Sequence, residues 1–243
     1  MDVKVKICGI TNAADARGAV AAGADMLGFI FFPKSPRYVT PERVRTILAA
    51  KEHARVLTHV KVLTVGVFVN ESPETVAQVL RFCGLDLAQL HGEEAPATLG
   101  LEGGPSPLRG RAYKALRPRT PEEAANLAHQ YALPVRLRGE GRFPAFLIDA
   151  YHPGRRGGTG VTGDWDLASS LSSQYPLLLA GGLTPSNVAQ AVRSVQPWGV
   201  DVASGVEDSP GHKDHAALRA FVAAAKAIQR DDIHPKGANL RFA

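Results

Sequence analysis

Cysteine, tryptophan and methionine are scarce in this sequence of 243 residues, which contains two of each. The two cysteines, Cys8 and Cys83, are too few for the disulfide framework of a small secreted domain. Long apolar stretches are also missing, because no segment approaches the ~20 apolar residues of a membrane span and the first residues lack the apolar core of a signal peptide. These absences argue against a membrane protein and predict a protein of the reducing cytoplasm.

Aromatic residues make up only 7% of the chain, and their scarcity bears on its positive charge. The formal net charge is +5 and the isoelectric point is about 9.4. Nucleic-acid binding would favour a basic run interleaved with aromatic residues, whereas the Lys and Arg residues here are scattered. A solvated basic surface explains most of the excess charge, and an acidic small-molecule substrate fits it equally well. The sequence therefore predicts a small-molecule ligand and no nucleic-acid partner.

What the sequence does contain is an alternation of short β-branched runs with Ala- and Leu-rich helical stretches. The runs that predict strands are Val3–Cys8, Met26–Ile30, Leu63–Val69, Leu87–Leu90, Ala112–Ala115, Ala145–Asp149, Leu177–Ala180 and Gly199–Val202. The stretches that predict helices are Ala13–Ala22, Pro41–Ala50, Pro73–Phe82, Pro96–Leu101 (the weakest), Pro121–Tyr131, Asp166–Leu171, Pro185–Ser194 and Asp214–Ile228. Helix starts with an N-cap hydroxyl before proline are predicted at Thr40-Pro41, Ser72-Pro73, Thr120-Pro121 and Thr184-Pro185.

Eight strand–helix units predict a parallel sheet, covered by helices, that closes into a single (β/α)₈ TIM barrel. The length suits such a barrel, which needs about 250 residues, as well as two small domains. An open doubly wound sheet is the alternative, but it commonly has fewer strands and a Gly-rich first turn, and Cys8-Gly9-Ile10-Thr11 is not a dinucleotide fingerprint. We expect the barrel to span residues 1–228 and the polar residues 229–243 to form a loosely ordered tail.

Two helix-to-strand connections, Gly100–Arg111 and Pro134–Arg142, look like insertions. In a barrel these connections lie on the face opposite the active site, so their arginines are expected to be solvated loop charges. The stretch Lys51–Lys61 also lengthens the segment before the third strand. We expect all three segments to affect stability or assembly more than activity.

Catalytic groups of such a barrel come from the carboxyl ends of the strands and the loops just after them. Gly181-Gly182 follows the seventh strand, and Ser204-Gly205 follows the eighth. Because glycine lets backbone N–H groups approach an anion, the two adjacent turns predict a phosphate site, with Asp201 in the same region. Either turn alone is explained by a tight bend of the chain. A third cluster, Gly157–Gly160, includes Gly158 and could close over the same ligand.

Two side chains at strand ends predict acid–base chemistry. Cys8 ends the first strand, and Lys6, two residues earlier on the same face, could lower the pKa of its thiol and make it a base. Asp149 ends the sixth strand after three apolar residues, where partial burial would favour the protonated form of a general acid. Cys8 and Asp149 would then face one bound sugar. The alternatives are an inert buried cysteine and an aspartate that caps the next loop.

Two further candidates lie in loops at the same end of the barrel. Arg37 stands in a loop rich in proline and charge and could bind a carboxylate with two parallel hydrogen bonds, although a surface arginine is the alternative. His91 follows the fourth strand and is expected to be a polar residue of the barrel mouth, because no His, Asp and Glu set has the spacing of metal ligands. Cys83 closes the third helix, far from the mouth. The sequence predicts neither a metal nor a cofactor.

Short segments in a fixed order along about the first 228 residues carry a family resemblance. They are Lys6–Thr11, Gly28–Arg37, Val65–Asn70, Gln89–Gly92, Leu147–Asp149, Gly157–Gly160 with Asp164-Trp165, Leu179–Leu183 and Asp201–Glu207. One such motif would be weak, but the ordered set is specific, and it closely resembles the phosphoribosylanthranilate isomerase family. The insertions and the tail depart from the family pattern without touching these motifs.

The resemblance implies an Amadori rearrangement in tryptophan biosynthesis. N-(5-phosphoribosyl)anthranilate would become 1-(2-carboxyphenylamino)-1-deoxyribulose 5-phosphate without a metal. By analogy with the family, Asp149 would protonate the furanose ring oxygen and Cys8 would remove the C2′ proton. Arg37 would hold the anthranilate carboxylate, and the glycine turns would hold the phosphate.

Three other functions are compatible with the sequence. The aminoaldose isomerase of histidine biosynthesis performs the same rearrangement but resembles a pair of catalytic aspartates, and Cys8 argues against it. A metal-dependent sugar-phosphate epimerase would need clustered His and Asp ligands. A barrel that binds a phosphorylated ligand without turnover is the third alternative. The sequence leaves open whether the chain is a monomer or a homodimer.

Overall fold

The computed structural model describes residues 3–58, 62–137, 143–149 and 165–228. Within them, eight parallel strands close into a barrel in the order of the sequence, with β8 hydrogen-bonded to β1. The strands are β1 Lys4–Ile7, β2 Met26–Ile30, β3 Leu63–Phe68, β4 Leu87–Leu90, β5 Ala112–Leu116, β6 Phe146–Asp149, β7 Leu177–Ala180 and β8 Gly199–Val202. A short antiparallel pair, β9 Glu207–Ser209 and β10 His212–Lys213, follows β8. The predicted (β/α)₈ barrel is confirmed.

Helices connect the strands of the barrel. The α-helices are α1 Ala13–Ala21, α2 Pro41–Thr58, α3 Pro73–Cys83, α4 Pro121–Tyr131, α5 Trp165–Ser172, α6 Val188–Val195 and α7 His215–Lys226. Between β4 and β5 the predicted weak helix is a 3₁₀ helix, Pro96–Leu99, which ends at Gly100 in the left-handed conformation. The helix has room for only four residues from Pro96 to Leu99 before this glycine, so a full α-helix does not form. Helix α2 extends beyond the predicted end at Ala50 because no proline or glycine interrupts its sequence before Thr58.

Three of the four predicted helix caps are confirmed. The side-chain oxygens of Thr40, Ser72 and Thr120 each accept a hydrogen bond from the backbone N–H three residues later. The cap predicted at Thr184 is wrong, because α6 begins at Val188 instead. The Asn187 side chain accepts from the Thr184 N–H and donates to the Gly182 carbonyl, and these bonds stabilise a turn before the helix.

The barrel places alternate residues of each strand on opposite faces. On β1, Val5 and Ile7 belong to the apolar core, whereas the Lys6 side chain lies among polar groups of other strands inside the barrel. Cys8 follows on the same face as Lys6. This alternation carries two reactive side chains into the barrel while the helices cover its outside.

The described part of the chain contains no helix that is long and apolar enough to cross a membrane. Residues 101–111 precede β5, at the end of the barrel opposite the carboxyl ends of the strands, as predicted for the first insertion. Most of the second insertion, 138–142, lies outside the described residues, as do the loop 150–164 and the tail 229–243. The boundary at residue 228 and the loosely ordered tail therefore stay predictions.

Candidate active site

A cavity of about 440 Å³ opens at the carboxyl ends of the strands. Its lining includes Cys8, Gln89, His91, Asp149, Gly181, Gly182, Asp201, Ser204 and Gly205. The predicted base, the predicted acid and both glycine turns thus meet at one cavity. Gly158 lies outside the described residues, so its predicted part in the site has no structural description.

The thiol of Cys8 sits in a space that a neighbouring glycine leaves open. Cys8 is 6% exposed, and a Cβ atom added at Gly28 on β2 would come within 2.7 Å of its Sγ. The Cys8 backbone is also fixed, because its N–H donates to the Val202 carbonyl and its carbonyl accepts from Lys213 Nζ at 2.7 Å. The side chain is therefore held at the cavity wall in a defined position.

The pKa of the Cys8 thiol is raised above its ordinary value, chiefly because the thiol is buried. Lys6 and Lys213 act in the opposite direction, while the negative charge of Asp201 adds to the increase. The predicted direction of the Lys6 contribution is right, but the expectation of a lowered thiol pKa is wrong. Desolvation of the buried thiol outweighs the effect of the two nearby cations.

Alkylation measures this balance directly, because the thiolate and not the thiol attacks iodoacetamide. In a Cys83→Ser background, we expect slow alkylation of Cys8 at pH 7 and a rate that rises about tenfold per pH unit to beyond pH 9. Cys83 is replaced because burial raises its pKa to about 11, so its own alkylation would add to that of Cys8 at high pH. Intact-mass spectrometry follows the reaction. A rate that levels off below pH 8 would show that Lys6 and Lys213 outweigh burial.

The sequence placed Lys6 at the barrel mouth, and this prediction is wrong. Its side chain is fully buried beneath the cavity. Its Nζ donates to Gln89 Oε1 at 2.9 Å and to Asp201 Oδ2 at 3.1 Å. Burial alone would lower the pKa of Lys6, but the charges of Asp201 and Cys8 and the hydrogen bond to Asp201 raise it above its ordinary value. Lys6 is therefore a permanent cation under the floor of the site.

This ion pair also corrects the role expected of Asp201. Its carboxylate lines the cavity, but one oxygen binds Lys6, and a carboxylate repels a phosphate. The other oxygen, Oδ1, is buried and has no hydrogen-bond partner among the described residues. Asp201 thus offers a ligand an acceptor beside Cys8, which suits a hydroxyl group better than a phosphate.

Asp149 lines the same cavity as Cys8 and stands at the end of β6. Its side chain is 25% exposed, and its Oδ2 is 3.8 Å from both His91 Nε2 and Arg117 Nε. His91 Nε2 is itself buried without a hydrogen-bond partner among the described residues. The acid candidate therefore stands beside two nitrogen groups that can stabilise its ionised form.

The glycine turns occupy the cavity wall formed by β7 and β8. Gly181 and Gly182 have φ angles of +99° and +64°, which other residues rarely adopt, so their place in this turn depends on glycine. A Cβ atom at Gly205 would collide with the Leu183 carbonyl oxygen, so the two turns pack directly against each other. This close backbone packing is the arrangement that a phosphate cradle between two strand ends requires.

Arg37 is not part of the cavity lining in this structure. Its Nε and Nη2 hold Glu207 at 2.6–3.0 Å, and Lys213 Nζ donates to the same carboxylate at 2.8 Å. These hydrogen bonds outweigh burial and lower the pKa of Glu207 below its ordinary value. Arg37 still lies close to the turn after Cys8, because a Cβ atom at Gly9 would come within 2.6 Å of its Cδ.

Several residues that organise the site were not predicted from the sequence. Gln89 binds Lys6 and Tyr113, whereas Lys213 and Glu207 link the Cys8 carbonyl to Arg37. Of these, only Gln89 and Glu207 fall within a recognised motif. A signal for Gln89 was present, since it stands two residues before His91 and must share its face of β4. Lys213 and Tyr113 gave no such signal. Among the described residues no group of His, Cys, Asp and Glu could hold a metal ion.

Comparison with known proteins agrees with this geometry. The model of the N-(5'phosphoribosyl)anthranilate (PRA) isomerase family matches residues 5–224. This chain belongs to that family. It is 48% identical over 227 residues to the N-(5'-phosphoribosyl)anthranilate isomerase of Geobacter sp. (strain M21), covering 93% of this chain and 98% of the relative. The enzyme of Myxococcus xanthus is 45% identical over 229 residues, covering 94% and 98%.

Solved structures of the family share the fold. The phosphoribosyl anthranilate isomerase of Thermotoga maritima is 36% identical, with a TM-score of 0.74, and the match covers 93% of this chain and all of that one. A phosphoribosyl anthranilate isomerase in complex with reduced 1-(o-carboxyphenylamino)-1-deoxyribulose 5-phosphate has a TM-score of 0.71 at 36% identity, with the same coverage. The family predicted from the ordered motifs is therefore confirmed.

Proposed function

We propose that this chain catalyses the Amadori rearrangement of N-(5-phosphoribosyl)anthranilate in tryptophan biosynthesis, in the cytoplasm and without a cofactor. The observation that carries the proposal is the meeting of Cys8, Asp149 and two glycine turns at one cavity, in a chain of this family. A base, an acid and an anion cradle are the groups that isomerisation of a sugar phosphate requires.

The reaction begins with ring opening. The Asp149 carboxyl group gives its proton to the furanose ring oxygen, and the bond between this oxygen and C1′ breaks. The nitrogen lone pair forms a C1′=N bond, so the product is a protonated Schiff base. Asp149 becomes a carboxylate, which Arg117 and His91, each with a nitrogen atom 3.8 Å from Oδ2, can stabilise.

Proton abstraction follows at C2′. The Cys8 thiolate removes the C2′ proton, the electrons of that C–H bond form C1′=C2′, and those of the C1′=N bond return to nitrogen. The resulting enolamine tautomerises to the ketone: its C2′ hydroxyl gives a proton to water, and C1′ takes one from water. The Cys8 thiol then releases its proton and the Asp149 carboxylate takes one up, so both groups return to their starting forms. The protonated nitrogen is the electron sink, so the step has no need of a metal.

The substrate's charged ends are held outside the reacting centre. The phosphate lies against the backbone of Gly181, Gly182, Ser204 and Gly205. The buried Asp201 Oδ1 accepts a hydrogen bond from a sugar hydroxyl beside Cys8. Arg37 uses its remaining Nη1 protons for the anthranilate carboxylate, while Glu207 holds the other edge of the guanidinium.

The direct test mixes purified protein with freshly prepared phosphoribosylanthranilate and follows the loss of substrate fluorescence. We expect rapid loss with the wild-type chain. If no fluorescence is lost under conditions in which a known isomerase of this family works, the proposed substrate is wrong. The chain would then act on the aminoaldose of histidine biosynthesis or bind a phosphorylated ligand without turnover. A Thermotoga maritima relative is dimeric, and sedimentation would decide between monomer and homodimer here.

Replacement of Arg37 tests the carboxylate contact. We expect Arg37→Ala to raise KM by about 10- to 100-fold, because a charge-assisted hydrogen bond contributes roughly 1.5–3 kcal/mol. Arg37→Lys should recover only part of this loss, since lysine lacks the two-pronged geometry. Arg81→Ala, on the exposed end of α3, is the matched control and should leave KM unchanged. An unchanged KM in Arg37→Ala would separate Arg37 from the substrate carboxylate.

A further inference from the structure

A series of polar contacts leads from Lys6, beneath the cavity, to Asp149 in the cavity lining. Lys6 Nζ donates to Gln89 Oε1 at 2.9 Å, and Gln89 Nε2 lies 3.0 Å from His91 Nδ1. His91 Nε2 then lies 3.8 Å from Asp149 Oδ2. Gln89 is 1% exposed, so water does not compete for its amide group.

The orientation of the Gln89 amide follows from its partners. A lysine ammonium group has only hydrogen-bond donors, so the atom of Gln89 that faces Lys6 must be the carbonyl oxygen. Tyr113 Oη donates to the same oxygen at 3.0 Å. The Asp201 carboxylate, 3.1 Å from Nζ, raises the pKa of Lys6 and so favours its charged form. The amide nitrogen must therefore point towards His91.

This orientation determines which nitrogen of His91 carries the proton. The amide nitrogen of Gln89 is a donor, so His91 Nδ1 must accept with its lone pair. A neutral imidazole with an acceptor at Nδ1 carries its proton at Nε2. The Nε2–H group therefore faces Asp149 Oδ2 at 3.8 Å, and it has no hydrogen-bond partner among the described residues.

We infer that Gln89 is a positioning residue for the proposed acid step: oriented by Lys6, it holds His91 in the tautomer that presents Nε2–H to Asp149. This inference rests on the proposed function of Asp149. Once Asp149 has given its proton to the ring oxygen, the Nε2–H group donates to the new carboxylate and stabilises the charge that forms. The opposite tautomer would turn a lone pair towards the carboxylate and repel it.

Other charged groups around His91 do not impose this tautomer. Arg117 Nη2 donates to the His91 carbonyl at 3.2 Å, which is a backbone contact. Lys114 on β5 donates to the Gly92 carbonyl and to Glu94, and Glu94 binds backbone N–H groups. Glu93, on the loop after β4, is exposed. Only Gln89 is hydrogen-bonded to the imidazole ring itself among the described residues.

The test reads the tautomer of His91 by two-bond ¹H–¹⁵N correlation in protein labelled at histidine, with His91→Asn to assign the signal. We expect a protonated Nε2 and an unprotonated Nδ1 in the wild-type chain. Gln89→Met keeps the shape and removes the amide, so it should give a mixture of tautomers and a kcat about tenfold lower, with KM within about twofold. Gln89→Glu should place a proton on Nδ1, because a carboxylate accepts there.

Tyr113→Phe is the matched control, since it removes the other donor to Gln89 Oε1 and leaves Lys6 in place. We expect the tautomer of His91 to be unchanged in this variant. A wild-type His91 that carries its proton on Nδ1 would overturn the inference without any variant, as would an unchanged kcat in Gln89→Met. The proposed function fails separately, if Asp149→Asn keeps its turnover, and the tautomer measurement does not depend on that result.

Discussion

Replacing Cys8 with alanine is expected to lower kcat by about 10²- to 10⁴-fold, the usual contribution of a positioned general base. The expected loss is large because no other described side chain at the cavity wall beside Cys8 is set to remove the C2′ proton: Lys6 is a fully buried cation, and Asp201 is paired with it. Stopped-flow fluorescence with saturating substrate measures kcat, and KM should change little because the phosphate and carboxylate contacts remain.

Two variants make the Cys8 result specific. Cys83→Ala removes the other thiol, which contacts the Pro41 carbonyl on the outside of the barrel, and should retain wild-type turnover. Cys8→Ser keeps a group of similar shape, but a hydroxyl is far harder to ionise than a thiol, so turnover should stay low. Near-normal turnover in Cys8→Ala would remove the thiolate from the mechanism.

The raised pKa of Cys8 has two opposing consequences for catalysis. It lowers the fraction of thiolate in the free protein at pH 7, because burial disfavours the charged form. It also makes the thiolate a stronger base once formed, which suits a proton held by carbon. Lys6 and Lys213 limit the cost of ionisation in this buried place. The site therefore combines a strong base with nearby cations that make its charged form accessible.

Replacing Asp149 with asparagine is expected to lower kcat to a similar extent, about 10²- to 10⁴-fold. An amide has nearly the same shape as a carboxyl group and can donate a hydrogen bond, but it cannot transfer a proton to the ring oxygen. Ring opening should become rate-limiting, and KM should change little. Asp166→Asn, on the exposed first turn of α5, is the matched control and should behave as wild type.

A substrate that is already open would separate the two steps in Asp149→Asn. If Asp149 acts only in ring opening, the variant should still exchange the C2′ proton of an open-chain analogue with solvent, whereas Cys8→Ala should not. Proton exchange in deuterated water, followed by NMR, gives this comparison. Full turnover of the natural substrate by Asp149→Asn would contradict the assignment of the acid.

The sequence by itself determined the barrel and the strand ends at which chemistry occurs. Strand and helix periodicities are local properties, and four strands begin and end where the sequence places them: Met26–Ile30, Leu87–Leu90, Leu177–Ala180 and Gly199–Val202. Because parallel strands of a barrel end on one face, the ends of β1, β6, β7 and β8 had to meet. Cys8, Asp149 and the glycine turns could therefore be assigned to one cavity before any contact was known.

Only the tertiary structure decided which charges pair across the barrel. Lys6 meets Asp201, 195 residues away, and Arg37 meets Glu207, 170 residues away, and no periodicity encodes such contacts. The net shift in the pKa of Cys8 depends on burial and on three surrounding charges at once, so its sign could not be inferred from Lys6 alone. The tautomer of His91 likewise follows from a hydrogen bond between Lys6 and Gln89 on different strands. Local pattern specifies where groups stand along a strand, whereas long-range packing decides their partners and their protonation.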